Sequence, residues 1–154
     1  MHPVLLTLLP AIRQGYCCSQ LLLLLALQAR DESNPALLRG MRGLCHGIGQ
    51  SGGPCGLLAG GAVALAYLAG KDDDDEPHPL LEAMENDYAL WFYERTHAYG
   101  GYGCEQVAAG LGASTGQEKG AERVLDQSLC GNFLAECWEK ILVILESYSV
   151  DIAG

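Results

Sequence analysis

The amino-acid sequence predicts an all-α protein, a compact bundle of about six or seven helices joined by glycine-rich loops. Three observations carry this expectation. Apolar residues recur at helical intervals along most of the chain. No segment sustains the two-residue alternation of a half-buried strand. Clusters of Gly and Pro punctuate the apolar runs, as breaks between helices do. With 154 residues and an apolar fraction of 49%, one domain over 1–154 can bury a proper core, and the composition of a disordered chain is absent.

Residues 4–13 form the first expected helix, with Pro10 as a place for a bend. Gly15 and Tyr16 interrupt it, and a second helix starts at Cys17 or Cys18 and runs to about Arg30. The segment Asp31 through Pro35 is a turn, with Asn34 as N-cap of a short third helix ending near Arg42. A glycine loop follows, and at Pro54-Cys55 it changes into an apolar helix that continues to about Ala69. Gly56, Gly60 and Gly61 lower the propensity of that helix, which suits close approach by a neighbouring backbone. The acidic run within 71–79 lacks the alternation and closing Glu of a calcium loop and reads as solvated. Residues 80–98 make an amphipathic helix whose rings Tyr88, Trp91, Phe92 and Tyr93 belong to the core. Cys104 opens a short helix to about Leu111, residues 112–120 form a loop, and 121–129 a modest helix. The chain closes on an apolar helix over 132–150.

Formal net charge is −10 and the pI about 4.6, with nine Lys and Arg scattered singly, so nucleic acid and anionic membranes are not expected partners. The apolar runs are too short or too glycine-rich to span a bilayer, and Arg13 follows the first of them instead of preceding it as a secretory leader requires. The expectation is a cytoplasmic protein whose thiols stay reduced. Seven cysteines then point to metal or redox chemistry.

Cys18, Cys55 and Cys104 share a context, with Gly or Pro shortly before and a predicted helix after. A helix N-terminus favours a thiolate, because its free N–H groups and dipole stabilise negative charge. Cys137 lies early in the last helix. Separations of 37, 49 and 33 residues between these four rule out a sequence-local zinc ribbon, but helices of a bundle bring distant donors together. Cys17, Cys45 and Cys130 are extra. Cys45-His46 could add ligands for a soft or borderline metal, and Cys17 and Cys130 could equally be small buried hydrophobes. Gly47, Gly49 and Gly52 match a dinucleotide fingerprint in letters alone; no strand precedes them, so no nucleotide is expected.

The segment Gly15-Tyr16-Cys17-Cys18-Ser19-Gln20 resembles the G-Y-N-C-S-Q opening of the C_GCAxxG_C_C family, with Cys17 where asparagine usually stands. Cys55-Gly56-Leu57-Leu58-Ala59-Gly60 resembles its central C-G-A-x-x-G, with Leu57 in place of alanine. The loop before it departs further, with Cys45 and His46 among positions usually glycine or small. Gly103-Cys104, and Cys137 with Ile141, resemble the two later cysteine contexts, and Cys130 competes for the last slot. The resemblance spans roughly 4–150. It implies a small helical redox protein of anaerobic bacteria and archaea, with a scaffold able to hold non-haem iron. No C-x-x-C-H is present, so covalent haem is not expected.

An iron–sulfur cluster takes four thiolates that need not be close in sequence. The leading expectation is therefore a metal centre on Cys18, Cys55, Cys104 and Cys137, used for electron transfer or cofactor handling with a redox partner protein, in a monomer or homodimer. Alternatives are thiol–disulfide or sulfur-relay chemistry without metal, and a structural protein with buried cysteines. Whether the chain is an enzyme stays open.

Overall fold

The computed structural model describes residues 2–70, 76–112 and 121–153, the side chains of 121–129 excepted. The acidic run expected to be solvated and the loop expected over 112–120 fall, for 71–75 and 113–120, outside the described residues. Among the described residues there are seven α-helices and no strand, as the periodicity predicted. They are α1 (Pro3–Arg13), α2 (Cys18–Ala29), α3 (Pro35–Met41), α4 (Gly56–Ala69), α5 (Leu81–Thr96), α6 (Cys104–Gly110) and α7 (Ala121–Ser147), with 3-10 turns at Arg42–Leu44 and His97–Tyr99.

α4 is the centre of the bundle and packs on α2, α5 and α7. It is apolar all round, and Leu57, Leu58, Ala64, Leu65, Leu68 and Ala69 are all buried, the pattern of a helix surrounded by others. The glycines expected to cost it stability are contact points. A Cβ on Gly60 would lie 2.6 Å from the Ser19 Cα of α2, and one on Gly61 would meet the Tyr88 ring of α5. α2 contributes Leu21, Leu22, Leu25 and Ala26 to the same core, and Met84, Tyr88 and Phe92 enter it from α5. A second, smaller core of Leu23, Leu27 and Met41 attaches α3 to the far side of α2. Asn34 caps α3, its side chain accepting from the Leu37 N–H at 3.1 Å as expected.

Gly15, at φ 85°, turns the chain between α1 and α2, which meet at 119°. Among the described residues no single helix is long and apolar enough to cross a membrane, and only that bent pair together reaches the required length.

Three local expectations are corrected. Tyr93, expected in the core with Tyr88, Trp91 and Phe92, is exposed and lies against the Tyr102 ring instead. The separate helices over 121–129 and 132–150 are one continuous helix, α7, of 27 residues. Gly131 does not break it, because α1 approaches there: a Cβ on Gly131 would stand 3.2 Å from Leu5 Cδ1, so packing outweighs propensity. The loop after Cys45 is not irregular either. His46, Gly47, Ile48, Gly49 and Gln50 all have φ between 55° and 67°, a full left-handed turn. Left-handed backbone costs a non-glycine residue roughly 1–2 kcal/mol, so His46, Ile48 and Gln50 hold it only because their surroundings impose it. Gly53 N–H and Ser51 Oγ both donate to the Gly47 carbonyl, at 2.9 and 3.2 Å.

Candidate redox site

Three of the four principal cysteines stand at helix starts, and the fold draws those starts together. Cys18 is the first residue of α2. Its position is set by two buried polar neighbours: Ser19 Oγ donates to the Met41 carbonyl at 2.9 Å, and Gln20 accepts from the Cys17 N–H and donates to the Leu38 carbonyl. Cys55 is the N-cap of α4, and Cys104 opens α6. These two are tied side by side, because Cys55 N–H donates to Tyr102 O at 2.8 Å and Cys104 N–H to Gly53 O at 3.1 Å. The pair of bonds brackets an antiparallel bridge between Pro54 and Gly103. Proline has no N–H to contribute, and the Cys55 and Cys104 N–H groups supply the bonds.

Glycine makes the junction possible. A Cβ on Gly56 would lie 3.3 Å from the Ser19 amide nitrogen and 3.6 Å from Cys18 Cβ; one on Gly47 would lie 2.9 Å from Cys104 Cβ. The left-handed turn is thus pressed against Cys104, and the start of α4 against the start of α2. From the other side comes α7 with Cys130 and Cys137, two helical turns apart and so on one face. Cys137 is fully buried. A clamp holds this part of α7 to α5: Arg95 donates from Nε and its terminal nitrogen to the two oxygens of Glu136, at 2.6 and 3.1 Å, and lies over the Phe133 ring at 5.0 Å.

Five cysteines lie outside the disulfide described below, and burial is the main influence on the four principal thiols. Burial pushes the Cys18 thiol well above its ordinary range, and Cys130, Cys55, Cys104 and Cys137 each raise it further, in that order. Cys18 keeps some exposed surface as a residue. Cys55 is pushed up to about 12 by burial, despite the Leu57 and Leu58 amides, which draw it down. Burial also raises Cys137 and Cys104. The expectation that a helix start would favour a thiolate at Cys55 is therefore half right. The amides act in the expected sense, and desolvation outweighs them. These thiols are protonated at neutral pH.

Sequence reasoning placed Tyr88 in the core, where it is, but missed its polar role. Its hydroxyl donates to the Leu57 carbonyl at 2.6 Å and lies beside the Cys137 thiol. That hydroxyl occupies the notch left by Gly61. Tyr88→Phe is expected to destabilise the protein by about 1–2 kcal/mol, the cost of losing a buried hydrogen-bonding group. Urea denaturation checks this, and an unchanged midpoint would show that the hydroxyl is dispensable.

Cys17 and Cys45 are joined in a disulfide, Cα to Cα 5.8 Å. Neither sulfur is then available as a thiolate ligand, and the suggestion that Cys45 adds to the donor set with His46, or Cys17 to that of Cys18, does not hold for this state. Among the described residues no three Cys, His, Asp or Glu side chains are grouped so as to hold a metal ion.

A sequence profile described as "Putative redox-active protein (C_GCAxxG_C_C)" matches residues 16–144, most of the chain. The chain belongs to that family. No curated protein and no solved structure matches it. Two of the three cysteines that stand apart from the motif, Cys17 and Cys45, are the two that bond to each other. That joint departure was the sequence signal for the disulfide. It was not decisive alone, because 28 residues of intervening chain leave the distance between them undetermined.

Proposed function

We propose that this member of the family carries a cysteine-ligated iron–sulfur or other metal centre, for electron transfer or cofactor handling with a redox partner protein. Cys18, Cys55 and Cys104 would supply three thiolates, and α7 the fourth from Cys137 or Cys130. The observation that carries this reading is the glycine-walled junction, in which the start of α4 beside Cys55 packs on Cys18 and the left-handed turn packs on Cys104, with Cys55 and Cys137 buried in the same core.

Buried thiols that repel one another as thiolates are poor nucleophiles when left alone, because the protonated form is inert. Arg95 eases only Cys137, and weakly, since it is paired to Glu136. A metal centre would supply the missing positive charge, and a coordinating thiol is deprotonated outright. Among the described residues no three donors are grouped around one point, which favours a cluster over a single ion. A multi-iron cluster interposes its own irons and sulfides between thiolates and suits a wider set of donors. When bound it would supply one-electron transfer. The chain's own contribution would be exclusion of water by Leu57, Leu58 and Tyr88, and backbone amides of the α4 start directed at Cys55.

The test is an anaerobic preparation assayed for iron, zinc and acid-labile sulfide. Bound iron and sulfide, with a brown chromophore lost in Cys18→Ser, Cys55→Ser and Cys104→Ser, is the expected result. Comparing Cys130→Ser with Cys137→Ser identifies the fourth ligand. A metal-free protein in which a reductant releases more thiols than Cys17 and Cys45 account for would favour thiol–disulfide chemistry instead.

A further inference from the structure

The Cys17–Cys45 disulfide touches the site without belonging to it, and three observations give it a purpose. First, Cys45 is the residue from which the left-handed turn of residues 46–50 departs. Such a turn persists only while its ends are held. One end is fixed by the disulfide, the other by the hydrogen bonds onto Gly47 O. Second, this turn is a wall of the cysteine junction, because Gly47 packs against Cys104 and Gly53 O accepts the Cys104 N–H. Third, the two residues are unequally buried. Cys45 keeps part of its surface exposed, whereas Cys17 is buried at the N-cap of α2 with Ser19 Oγ 3.2 Å from its sulfur. A thiolate leaving on Cys17 would meet the start of a 12-residue helix, which stabilises negative charge, and the Ser19 hydroxyl could turn to it by giving up its bond to Met41 O.

We propose that the Cys17–Cys45 disulfide is a redox latch, opened by a dithiol reductant through Cys45, whose opening frees residues 46–53 from the wall of the cysteine junction. A thiolate of the reductant forms a bond to Cys45 Sγ, the Cys17–Cys45 bond breaks, and the electron pair leaves on Cys17 Sγ. The reductant's second thiolate then attacks its own sulfur in the mixed disulfide, closing the reductant into a cyclic disulfide and leaving on Cys45. The two protons given up by the reductant's thiols end on Cys17 and Cys45. The reductant is oxidised by two electrons and the latch reduced by two. Once free, His46, Ile48 and Gln50 can leave the left-handed region, and the Gly47 contact with Cys104 loosens. That the wall encloses a metal centre rests on the function proposed above; the latch itself does not.

The experiment uses the full chain, purified in air and compared before and after dithiothreitol, with a Cys17→Ser/Cys45→Ser variant as a second route to the open state. Before reduction, mapping by alkylation and mass spectrometry is expected to find Cys17 and Cys45 unmodified. Afterwards both are modified, and amide exchange across 46–53 rises about tenfold or more while the buried part of α7 is unchanged. Brief exposure to the monothiol glutathione is expected to leave its adduct on Cys45. Exchange over 46–53 that is the same in all three forms would overturn the latch, and an adduct found first on Cys17 would overturn the route through Cys45. Neither readout needs metal, so a protein that opens as described but binds no iron would sink the metal centre and leave the latch standing.

Discussion

Gly60→Ala will destabilise the protein by about 2–3 kcal/mol or more, although it replaces the poorer helix former with the best one. In an open helix position the same change is expected to stabilise by roughly 0.5–1 kcal/mol. The reversal comes from the crossing of α4 and α2. The added methyl would lie 2.6 Å from Ser19 Cα and 2.8 Å from Ser19 Cβ, closer than carbon atoms can come. Backbone cannot rotate aside as a side chain can, so α2 must move away from α4. That movement would also strain the Ser19 and Gln20 hydrogen bonds to Met41 O and Leu38 O, which set the position of Cys18. Gly40→Ala is the matched control. It lies in α3 with nothing within 4 Å of an added Cβ, and it is expected to be neutral or stabilising. Denaturant midpoints of the two variants check both signs. Equal shifts would mean that α2 and α4 do not cross as closely as described.

The second large effect is on alkaline stability. Metal-free protein is expected to lose stability as pH rises from about 9 towards 12. The sign follows from proton counting. Cys55 has its folded value raised from 9.0 to about 12, so above pH 9 the unfolded chain releases this proton while the folded chain keeps it. Its contribution is complete below pH 9 and is lost as pH climbs through the folded value. At about 1.4 kcal/mol per unit, Cys55 alone would account for up to roughly 4 kcal/mol. Cys18 and Cys137 are shifted in the same direction and add to the loss. Urea midpoints across this range provide the measurement, with Cys55→Ala expected to flatten the slope. A slope unchanged by that variant would mean that Cys55 is not desolvated as described. The same burial predicts slow alkylation of Cys55 and Cys137 at pH 8.

Much of the fold was legible because the signals were local. The α3 cap at Asn34, the break at Gly15 and the starts of α2, α4 and α6 follow from residues within a few positions of the boundary. So did the placing of three cysteines at helix starts, since Gly or Pro shortly before a periodic run is itself the boundary. The misread places are those where a distant partner decides. Gly131 looked like a break until α1 was seen against it. The left-handed turn at 46–50 could not be anticipated, because it puts three non-glycine residues where local preference forbids them. Tyr88 could be assigned to the core from its ring, but not to Leu57 O and Cys137 from its hydroxyl.

The sequence by itself determined an all-α bundle, an apolar helix at its centre and a set of cysteines placed where helices begin. Periodicity and breakers act over a few residues, so one dimension contains them. Only the tertiary structure decided which cysteines meet. It joined Cys17 to Cys45, packed the start of α4 on the start of α2 beside Cys18, pressed the left-handed turn on Cys104, and buried Cys55 so that desolvation outweighs the helix start that would ionise it. Pairing and desolvation depend on separations through space, and 28 or more residues of chain leave those undetermined until the helices pack.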